Sequence, residues 1–292
     1  MPRAVLLLVN RTKPQVTAAL PEVRSVLKSQ GRIAAEMDVS TDPITDARGA
    51  DLIMVLGGDG SLLSQAKRCV DLGLPLIGVN LGNLGFLAEF DVASLREQAP
   101  VLLGDGPLVL RERMLLNATV RRGDLRSPGA IFSGLAMNDC VVTAGPPYRM
   151  IEVGLTIDGV EGPSFRGDGV IVSTPTGSTA YGVSAGGPIV APEVSSLTVT
   201  PIAAHSLAFR PIVLPGDSVI ELHVKRANSG WNGESREGTT LVLDGQMHCH
   251  LLAGDRVSIR RDPRPVRLVH NTRSSYWHTL VQKMHWAVNP GV

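Results

Sequence analysis

The hydrophobic positions in the first hundred residues follow two alternating patterns. Short runs of consecutive apolar residues, such as Leu52–Leu56, have the length and composition of buried strands. Between these runs apolar residues recur every three or four positions, as at Val16, Leu20 and Val23, which predicts amphipathic helices. We predict strands at 3–10, 33–39, 52–56 and 75–80, and helices at 13–30, 61–72 and 92–103. Strands that alternate with helices indicate a parallel sheet flanked by helices.

The pattern changes near 104–107, where the sequence reads Gly-Asp-Gly-Pro. We predict strands at 109–121, 135–143, 151–158, 169–174, 219–226, 239–244 and 256–260, and helices near 179–185 and at 275–286. The predicted fold is an α/β N-terminal domain, with a parallel sheet flanked by helices, joined to a β-rich C-terminal domain. We place the α/β domain at 1–105 and the β-rich domain at 106–274. The segment 275–292 is expected to return as a helix that packs on the first domain.

Composition narrows the class of protein. The chain has 292 residues and a formal charge of +1, so it is long enough for two domains and carries no overall field that would attract nucleic acid. Cys69, Cys140 and Cys249 form neither a CxxC pair nor an even framework, which indicates a reducing compartment. The apolar run at 5–9 is too short for a membrane span or a signal peptide. We therefore expect a cytoplasmic protein with no membrane or nucleic-acid partner.

A glycine turn follows the predicted strand 52–56. It reads Gly57-Gly58-Asp59-Gly60, and Ser61 then serves as the predicted helix N-cap. Strand, glycine turn and helix form an arrangement that binds phosphate, because glycines admit close approach and the helix start offers N–H groups. The turn can equally be structural only, and it matches neither the P-loop nor GxGxxG. A carboxylate within a phosphate site suggests that Asp59 holds a metal ion or accepts a proton.

Two further stretches are rich in glycine or hydroxyl groups. Residues 78–87 read GVNLGNLGFL, which by itself is most simply a tight turn with a buried Phe-Leu pair. Residues 165–181 read FRGDGVIVSTPTGSTAY, and five of the six residues at 174–179 are Thr, Ser or Gly. A lone cluster of this kind is often a helix cap. So dense a set of hydroxyls before a small-residue helix also suits sugar hydroxyls and phosphates.

Four short polar stretches are candidates for turns, ligand contacts or metal binding. Asn138-Asp139 is either a turn at a strand end or a pair that hydrogen-bonds a ribose diol. Asp244-Gly245-Gln246 is most simply a hairpin turn, and Asp158-Gly159 is a second hairpin signal. Alternation along a strand directs His248 and His250 to one face and the intervening Cys249 to the other. Because no further ligand is evident, structural zinc is disfavoured, and we predict no metal site built from protein side chains.

Taken together, these stretches resemble the NAD kinase family. The resemblance is carried by 57–60, 80–87, Asn138-Asp139, 167–169, 174–181 and 186–188. It continues in Pro201-Ile202, 205–207, 210–213 and 244–246, in family order from about residue 5 to about 285. The glycine turn alone is also similar to turns of lipid kinases and phosphofructokinases, whereas its combination with 174–181 is specific. Ser61 stands where Thr is common, and Asp139 stands where Glu is usual.

The resemblance implies an activity. Members transfer the terminal phosphoryl group of ATP, or of polyphosphate, to the 2′-hydroxyl of the adenosine ribose of NAD, with Mg²⁺, and produce NADP. They are homodimers or homotetramers with sites near subunit interfaces. The alternatives are a lipid kinase of the same superfamily, which would need an apolar channel, and a non-catalytic NAD(P) sensor, which would have little use for Asp59.

The resemblance also implies roles for individual residues. Asp59 is the catalytic residue, which faces the acceptor hydroxyl as base and orienter, and Gly57, Gly58 and Gly60 hold phosphate. The NAD-binding set is Asp59, Gly60, Asn138, Asp139, Arg149, Arg166, Asp168, Thr179, Ala180, Tyr181, Gly182, Val183, Ser184 and Gln246. Within this set Asn138 and Asp139 hold the adenosine side and Asp168 faces the nicotinamide side. The two arginines offset phosphate charge in the same or a neighbouring subunit.

Overall fold

The computed structural model describes residues 1–82, 85–122, 129–206, 208–230 and 238–284. Asn83 and Leu84 of the second glycine stretch, Leu207 and the end of the predicted C-terminal helix lie outside these ranges. So does part of 228–240, whose polar and Gly-rich sequence predicts an exposed loop. The chain divides into two compact units. One contains Met1–Glu112 and the segment from Val266 onward, and the other is Arg113–Pro265.

The first unit is built on a six-stranded sheet. Its strands are β1 (Ala4–Val9), β2 (Arg32–Asp38), β3 (Leu52–Leu56), β4 (Leu76–Val79), β5 (Leu110–Arg113) and β18 (Val266–Val269), in the order β2-β1-β3-β4-β18-β5. The pairs β1–β2, β1–β3, β3–β4 and β4–β18 are all parallel. The helices are α1 (Pro14–Gln30), α2 (Asp59–Arg68), α3 (Val92–Leu103) and α5 (Tyr276–Met284).

The predicted periodicity locates the core of this unit. All residues of β1 and β3 are buried, as expected for a parallel sheet covered on both faces. Val16, Leu20 and Val23 of α1 are buried against the strands, together with residues of α3. Cys69 lies just after α2, and burial raises the pKa of its thiol to about 12.

The unit boundaries differ from the predicted domain limits of 105 and 275. The predicted strand 109–121 is two strands, because the chain leaves the first sheet after β5 and enters another sheet as β6 (Leu116–Arg121). The return to the first unit begins with strand β18 rather than with helix α5, since β18 lies between β4 and β5. Beyond 92–103, sequence patterns gave no indication that two more strands belong to this sheet.

The second unit consists of two antiparallel six-stranded sheets, in the orders β10-β9-β14-β17-β6-β7 and β13-β12-β11-β8-β15-β16. The remaining strands of the first are β7 (Ala130–Ala136), β9 (Ile151–Ile157), β10 (Val160–Gly167), β14 (Ile220–Arg226) and β17 (Arg256–Arg261). The second contains β8 (Asp139–Thr143), β11 (Gly169–Ser173), β12 (Ser196–Ile202), β13 (Ile212–Pro215), β15 (Thr240–Leu243) and β16 (Met247–His250). One hydrophobic cluster includes inward-facing residues of both sheets, such as Val153 and Val172.

In the second unit the predicted hairpin turn is found, whereas several predicted strand bounds differ from the structure. Asp158 and Gly159 have positive φ angles of 51° and 79° and join β9 to β10, so the predicted hairpin turn is confirmed. Residues 135–143 are not one strand: β7 and β8 lie in different sheets, and the chain turns between them. Strands β10, β12 and β13 lie outside the predicted ranges, and Gly162 and Pro163 within β10 obscure its pattern.

The predicted helix near 179–185 is shorter than expected. It consists of a 3-10 turn, Thr176–Thr179, followed by the four-residue α4 (Tyr181–Ser184). Within the described residues, no helix has the length and apolar character needed to cross a membrane.

Candidate active-site elements

Helix α2 begins earlier than the sequence suggested, and this changes the position of Asp59. Ser61 is not the N-cap: Gly58 caps the helix, and Asp59 is its first residue. Gly57 has φ of 147°, and a Cβ there would lie 2.6 Å from the Ser61 Oγ, so this position requires glycine. The first turn of an α-helix leaves N–H groups without intrahelical acceptors, which favours an anion at this end.

The carboxylate of Asp59 is held by the backbone of the second glycine stretch. The N–H of Phe86 donates to Oδ2 at 2.8 Å, and the N–H groups of Leu87 and Ala88 donate to Oδ1 at 3.1 and 3.0 Å. A Cβ on Gly85 would lie 1.7 Å from Oδ1, so the backbone of Gly85 packs directly against the carboxylate. The 85–88 turn is therefore a receptor for the Asp59 side chain. We call it the Asp59 turn.

Other polar groups lie at the same edge of the sheet. Strands β1 and β3 end level, with Val9 paired to Leu56, while the chain continues from β1 to β2 on the other side. Ligands of open parallel sheets bind outside the carboxyl ends of strands at such a switch point. Sequence reasoning did not select the residues that follow β1, where the hydroxyl of Thr12 donates to the Asn10 Oδ1 at 2.6 Å. Their location at the switch point becomes evident only from the order of the strands in the sheet.

In the second unit, Asp244 organises the predicted Asn138-Asp139 pair. Its Oδ1 accepts the N–H groups of Met137, Asn138 and Asp139 at 3.1, 2.8 and 3.1 Å. Oδ2 shares the Met137 N–H at 3.0 Å. Asp244 has φ of 51° in the turn between β15 and β16, so the predicted hairpin turn is confirmed. No sequence pattern indicates that its side chain also holds a second turn, 137–139, which we call the Asp244 turn.

A cavity of about 370 Å³ opens beside the Asp244 turn. Four residues of the predicted NAD-binding set line it together: Asn138, Asp139, Ala180 and Tyr181. The other lining residues are Val141, Thr143, Val242, Asp244 and Gly245. Asp139 is 4% exposed, whereas Tyr181 is 46% exposed, so the cavity has a buried carboxylate at one side and an aromatic ring at its rim. The lining thus combines a carboxylate with the aromatic ring of Tyr181 and the apolar side chains of Val141 and Val242.

The hydroxyl-rich stretch 174–179 has a structural task that the sequence did not reveal. The buried Thr174 hydroxyl donates to the Met137 carbonyl at 2.6 Å and accepts the Gly177 N–H at 3.1 Å. The Ser178 hydroxyl donates to the Pro175 carbonyl at 2.7 Å. A Cβ on Gly177 would lie 2.0 Å from the Asn138 carbonyl oxygen. The close approach at Gly177 is thus made by the chain itself, while contact of the 174–179 stretch with a ligand stays a prediction.

The remaining predicted residues are distributed over the second unit. Arg149 lines a separate cavity of about 690 Å³ together with Arg226 and Asn228. Arg166 is exposed on β10, where its Nε lies 2.9 Å from a carboxylate oxygen of Glu152. Asp168 is exposed between β10 and β11, and its carbonyl accepts the Ala144 N–H at 2.7 Å. Thr179, Gly182, Val183 and Ser184 belong to the short helical segment, and Gln246 is exposed in the β15–β16 hairpin.

Within the described residues, no group of three or more His, Cys, Asp and Glu side chains is placed to hold a metal ion. His248 is exposed on β16, and His250 is partly buried on the same strand. The pKa of the intervening Cys249 thiol is raised by burial, which disfavours the thiolate form that binds metals.

Two family models match the chain over most of its length. Residues 5–106 match the ATP-NAD kinase N-terminal domain, and residues 137–271 match the ATP-NAD kinase C-terminal domain. The α/β unit and the β-rich unit are thus the two halves of a phosphotransferase that acts on a dinucleotide.

Relatives of known name agree with the family models. An NAD kinase of Thiobacillus denitrificans is 42% identical over 240 residues, which are 82% of this chain and 78% of the relative. An NAD kinase of Ralstonia nicotianae is 37% identical over 299 residues, covering 99% of this chain and 94% of the relative. The chain belongs to the NAD kinase family, and it is an enzyme that phosphorylates NAD.

Solved structures share the fold. Yeast NADH kinase, complexed with NADH, superposes with a TM-score of 0.80 at 23% identity and covers 99% of this chain and 89% of its own. An NAD kinase from Archaeoglobus fulgidus, in complex with ATP, gives a TM-score of 0.71 at 24% identity, with coverages of 97% and 98%. The two-domain architecture predicted from the sequence is confirmed.

Proposed function

We propose that the enzyme transfers the terminal phosphoryl group of MgATP to the 2′-hydroxyl of the adenosine ribose of NAD, with Asp59 as the catalytic residue. The observation that carries this proposal is the placement of the Asp59 carboxylate at the first residue of α2, fixed by three N–H groups of the Asp59 turn. A base held this firmly is oriented before its substrate arrives. Orientation is the main requirement of phosphoryl transfer, in which the protein has little covalent chemistry to perform.

The two carboxylate oxygens of Asp59 differ in how many further hydrogen bonds they can accept. A carboxylate has about four lone-pair positions. Among the hydrogen bonds of the described residues, Oδ1 accepts two N–H groups and Oδ2 accepts one. Oδ2 thus keeps a position that can accept the proton of an alcohol. A sugar hydroxyl is a weak acid, so this proton moves late, when the bond to phosphorus is already forming, and such assistance contributes roughly 10²–10⁴-fold.

The helix start explains how phosphate and carboxylate share one turn. The backbone N–H groups of the Asp59 turn offset much of the charge of the carboxylate, so that a phosphate at the N-terminus of α2 meets a partly neutralised neighbour. Gly57, Gly58 and Gly60 add no side chain between the helix start and the phosphate.

We assign the adenosine side of NAD to the 370 Å³ cavity. Asp139 is buried at its wall and can accept both hydroxyl protons of a ribose diol, with Asn138 beside it. Val141 and Val242 provide apolar surface for the base. The roles of Arg149, Arg166, Asp168, Gln246 and 179–184 in contacting the rest of the dinucleotide remain part of this proposal.

We treat Mg²⁺ as part of the donor substrate. Because the described residues provide no cluster of three or more metal-binding side chains, the phosphates of ATP and water would supply most of its ligands, as is usual for this ion. Polyphosphate is a second candidate donor.

The exposed side chains of Ile212 and Val213 on edge strand β13 support the further proposal of a homodimer or homotetramer. Three cysteines without disulfide bonds support a cytoplasmic location.

The decisive assay incubates purified protein with NAD, ATP and MgCl₂ and detects NADP with an NADP-specific dehydrogenase. Phosphorus NMR of the product then locates the new monoester on the 2′-oxygen. Parallel reactions replace ATP with polyphosphate, NAD with NADH, or NAD with diacylglycerol. NAD binding without NADP formation would favour a sensor, and phosphorylation of the lipid alone would favour a lipid kinase; either result rejects the proposal.

A further inference from the structure

The residue that follows the Asp59 turn is itself fixed at two points. The Glu89 carboxylate accepts the His270 Nδ1–H at 2.7 Å and the backbone N–H of Asn271 at 2.9 Å, both at Oε2. The carbonyl oxygen of Glu89 accepts an Nδ2–H of Asn271 at 3.0 Å. Side chain and backbone of one residue are therefore held by two consecutive residues that lie 181 and 182 positions further along the chain.

The contact of His270 with Arg111 determines which tautomer is present. The Arg111 Nη2 lies 3.1 Å from the His270 Nε2, and a guanidinium can only donate. With Nε2 as the acceptor of this contact, Nδ1 is the ring nitrogen that donates to Glu89. The side chains of His270 and Glu89 are 11% and 13% exposed, so this chain of hydrogen bonds from Arg111 to Glu89 is largely shielded from water.

The cluster lies at the functional edge of the first sheet. His270 and Asn271 follow β18, which runs parallel to β4, so they lie at the same end of the sheet as the glycine turn after β3. Asn271 is anchored in turn, because its Oδ1 accepts an Nε2–H of Gln98, on α3, at 3.0 Å. The N–H of His270 donates to the Val109 carbonyl at 2.8 Å. Gln98 on α3 and the carbonyl of Val109 thus anchor the two residues that hold Glu89.

We propose that Glu89, His270 and Asn271 are positioning residues that hold the Asp59 turn, and through it the Asp59 carboxylate, in its productive orientation. The inference rests on the proposed role of Asp59. Since Phe86, Leu87 and Ala88 directly precede Glu89, a shift of Glu89 moves the three donors that orient the carboxylate. Misplacement of a reacting group by about 1 Å can cost about 100-fold in rate, so a small shift suffices.

The first experiment measures the turn without using activity. Amide hydrogen exchange of residues 86–88 is compared in the wild-type protein, Glu89→Ala and His270→Leu. We expect exchange of these amides to accelerate about 10-fold or more in both variants, because opening of the turn becomes easier. His278→Leu, a change at an exposed histidine of α5, is the matched control and should leave their exchange unchanged. Unchanged exchange in Glu89→Ala would overturn the inference even if the enzyme makes NADP.

The second experiment tests whether the cluster acts through Asp59. We expect Glu89→Ala to lower kcat about 10- to 100-fold while the KM values for NAD and ATP change by less than about threefold. In an Asp59→Asn background the same change should lower kcat by less than about twofold, since the group being positioned is gone. A merely structural role predicts instead that the two losses multiply, and that result would reject the inference.

A conservative replacement separates loss of the hydrogen bond from loss of the fold. Asparagine at position 270 can place an N–H donor near the position of Nδ1, whereas leucine cannot. His270→Asn should therefore retain more turnover and more amide protection at 86–88 than His270→Leu. Equal effects of the two variants on both readouts would contradict a positioning role for this donor. Absence of NADP formation by the wild-type enzyme would instead refute the proposed function. The exchange experiment would still decide whether Glu89 and His270 hold the Asp59 turn.

Discussion

Asp59 in the first unit and Asp244 in the second perform the same backbone task in different settings. Each carboxylate accepts the N–H groups of three consecutive residues: Phe86 to Ala88 for Asp59, and Met137 to Asp139 for Asp244. Asp59 is the first residue of a ten-residue helix at the carboxyl edge of a parallel sheet. Asp244 has a left-handed backbone conformation in a hairpin.

Because both carboxylates are bound by backbone amides, this anchoring alone does not distinguish the catalytic aspartate that we propose from a structural one. The distribution of the donors separates the two cases. Oδ1 of Asp244 accepts all three N–H groups and Oδ2 also accepts the Met137 N–H, so the side chain fixes the Asp244 turn. Asp59 divides its donors between two oxygens and is the first residue of a helix, the end of which favours anions. In our proposal, Asp244 shapes the cavity that binds NAD, and Asp59 presents the oxygen that accepts the proton.

The largest expected effect is that of Asp59→Asn. Turnover should fall about 10²–10⁴-fold because the proton acceptor is lost, while the Kd for NAD changes by less than about threefold. Isothermal titration with NAD and the coupled NADP assay measure the two quantities. Near-normal turnover would remove Asp59 from the mechanism. The structure adds a second source of loss in this variant: the amide group that replaces one carboxylate oxygen would turn an N–H toward the donors of the Asp59 turn, so a part of the loss reflects orientation.

Gly85→Ala tests the packing of the Asp59 turn without removing any functional group. A Cβ would lie 1.7 Å from the Asp59 Oδ1, so either the carboxylate or the turn must move. We expect kcat to fall about 10-fold or more, by the sensitivity of positioned groups to small displacements. Gly106→Ala is the matched control, since a Cβ at this exposed glycine would have no non-neighbouring described atom within 4 Å. Equal kinetics of the two variants would show that the contact of Gly85 with Asp59 is dispensable.

The sequence allowed the fold to be predicted where one element lies within one periodic stretch. Strand β3 and helix α3 have their predicted bounds, because uninterrupted apolar runs and helical spacing are local properties. The predicted strands 109–121 and 135–143 failed for the opposite reason. Each is a continuous β-forming stretch that crosses from one sheet to another, at Met114-Leu115 and at Met137-Asn138. Propensity reports the strand conformation but not the sheet to which it belongs.

The candidate site divides in the same way. Residues 138–139 and 180–181 were selected from the sequence and line one cavity. The hydrogen bonds that hold the site residues in place were not predictable, because they come from residues that are distant in sequence and close only in the folded chain. Asp244 is 105 to 107 positions from the residues it holds, and His270 is 181 positions from Glu89. The same limit applies to the hydroxyls of Thr174 and Ser178, whose bonds to backbone carbonyls depend on the fold and are not visible in the sequence pattern.

Asp139→Ala tests the cavity beside the Asp244 turn. The buried carboxylate is replaced by a methyl group, so we expect the Kd for NAD to rise about 10- to 100-fold, as for loss of hydrogen bonds to a charged group. The KM for ATP should change by less than about threefold. Asp139→Glu, which restores the residue common in the family, is the control and should bind NAD within about threefold of the wild type. A larger effect on ATP than on NAD would place the wrong substrate in this cavity.

The smallest effect is expected for Asp244→Asn. This variant repeats the Asp59→Asn substitution on a carboxylate that also accepts the N–H groups of three consecutive residues, so it tests the comparison most directly. Replacing one oxygen by an amide group weakens the bonds to the Asp244 turn, so the free energy of unfolding should fall by about 1–3 kcal/mol. Denaturant titration measures this loss in both variants. We expect similar losses of stability but turnover within about 10-fold of the wild type for Asp244→Asn, since no proton acceptor is removed. If the two variants lost turnover equally, anchoring of a turn would account for the whole effect at Asp59, and its Oδ2 would need no part in proton transfer.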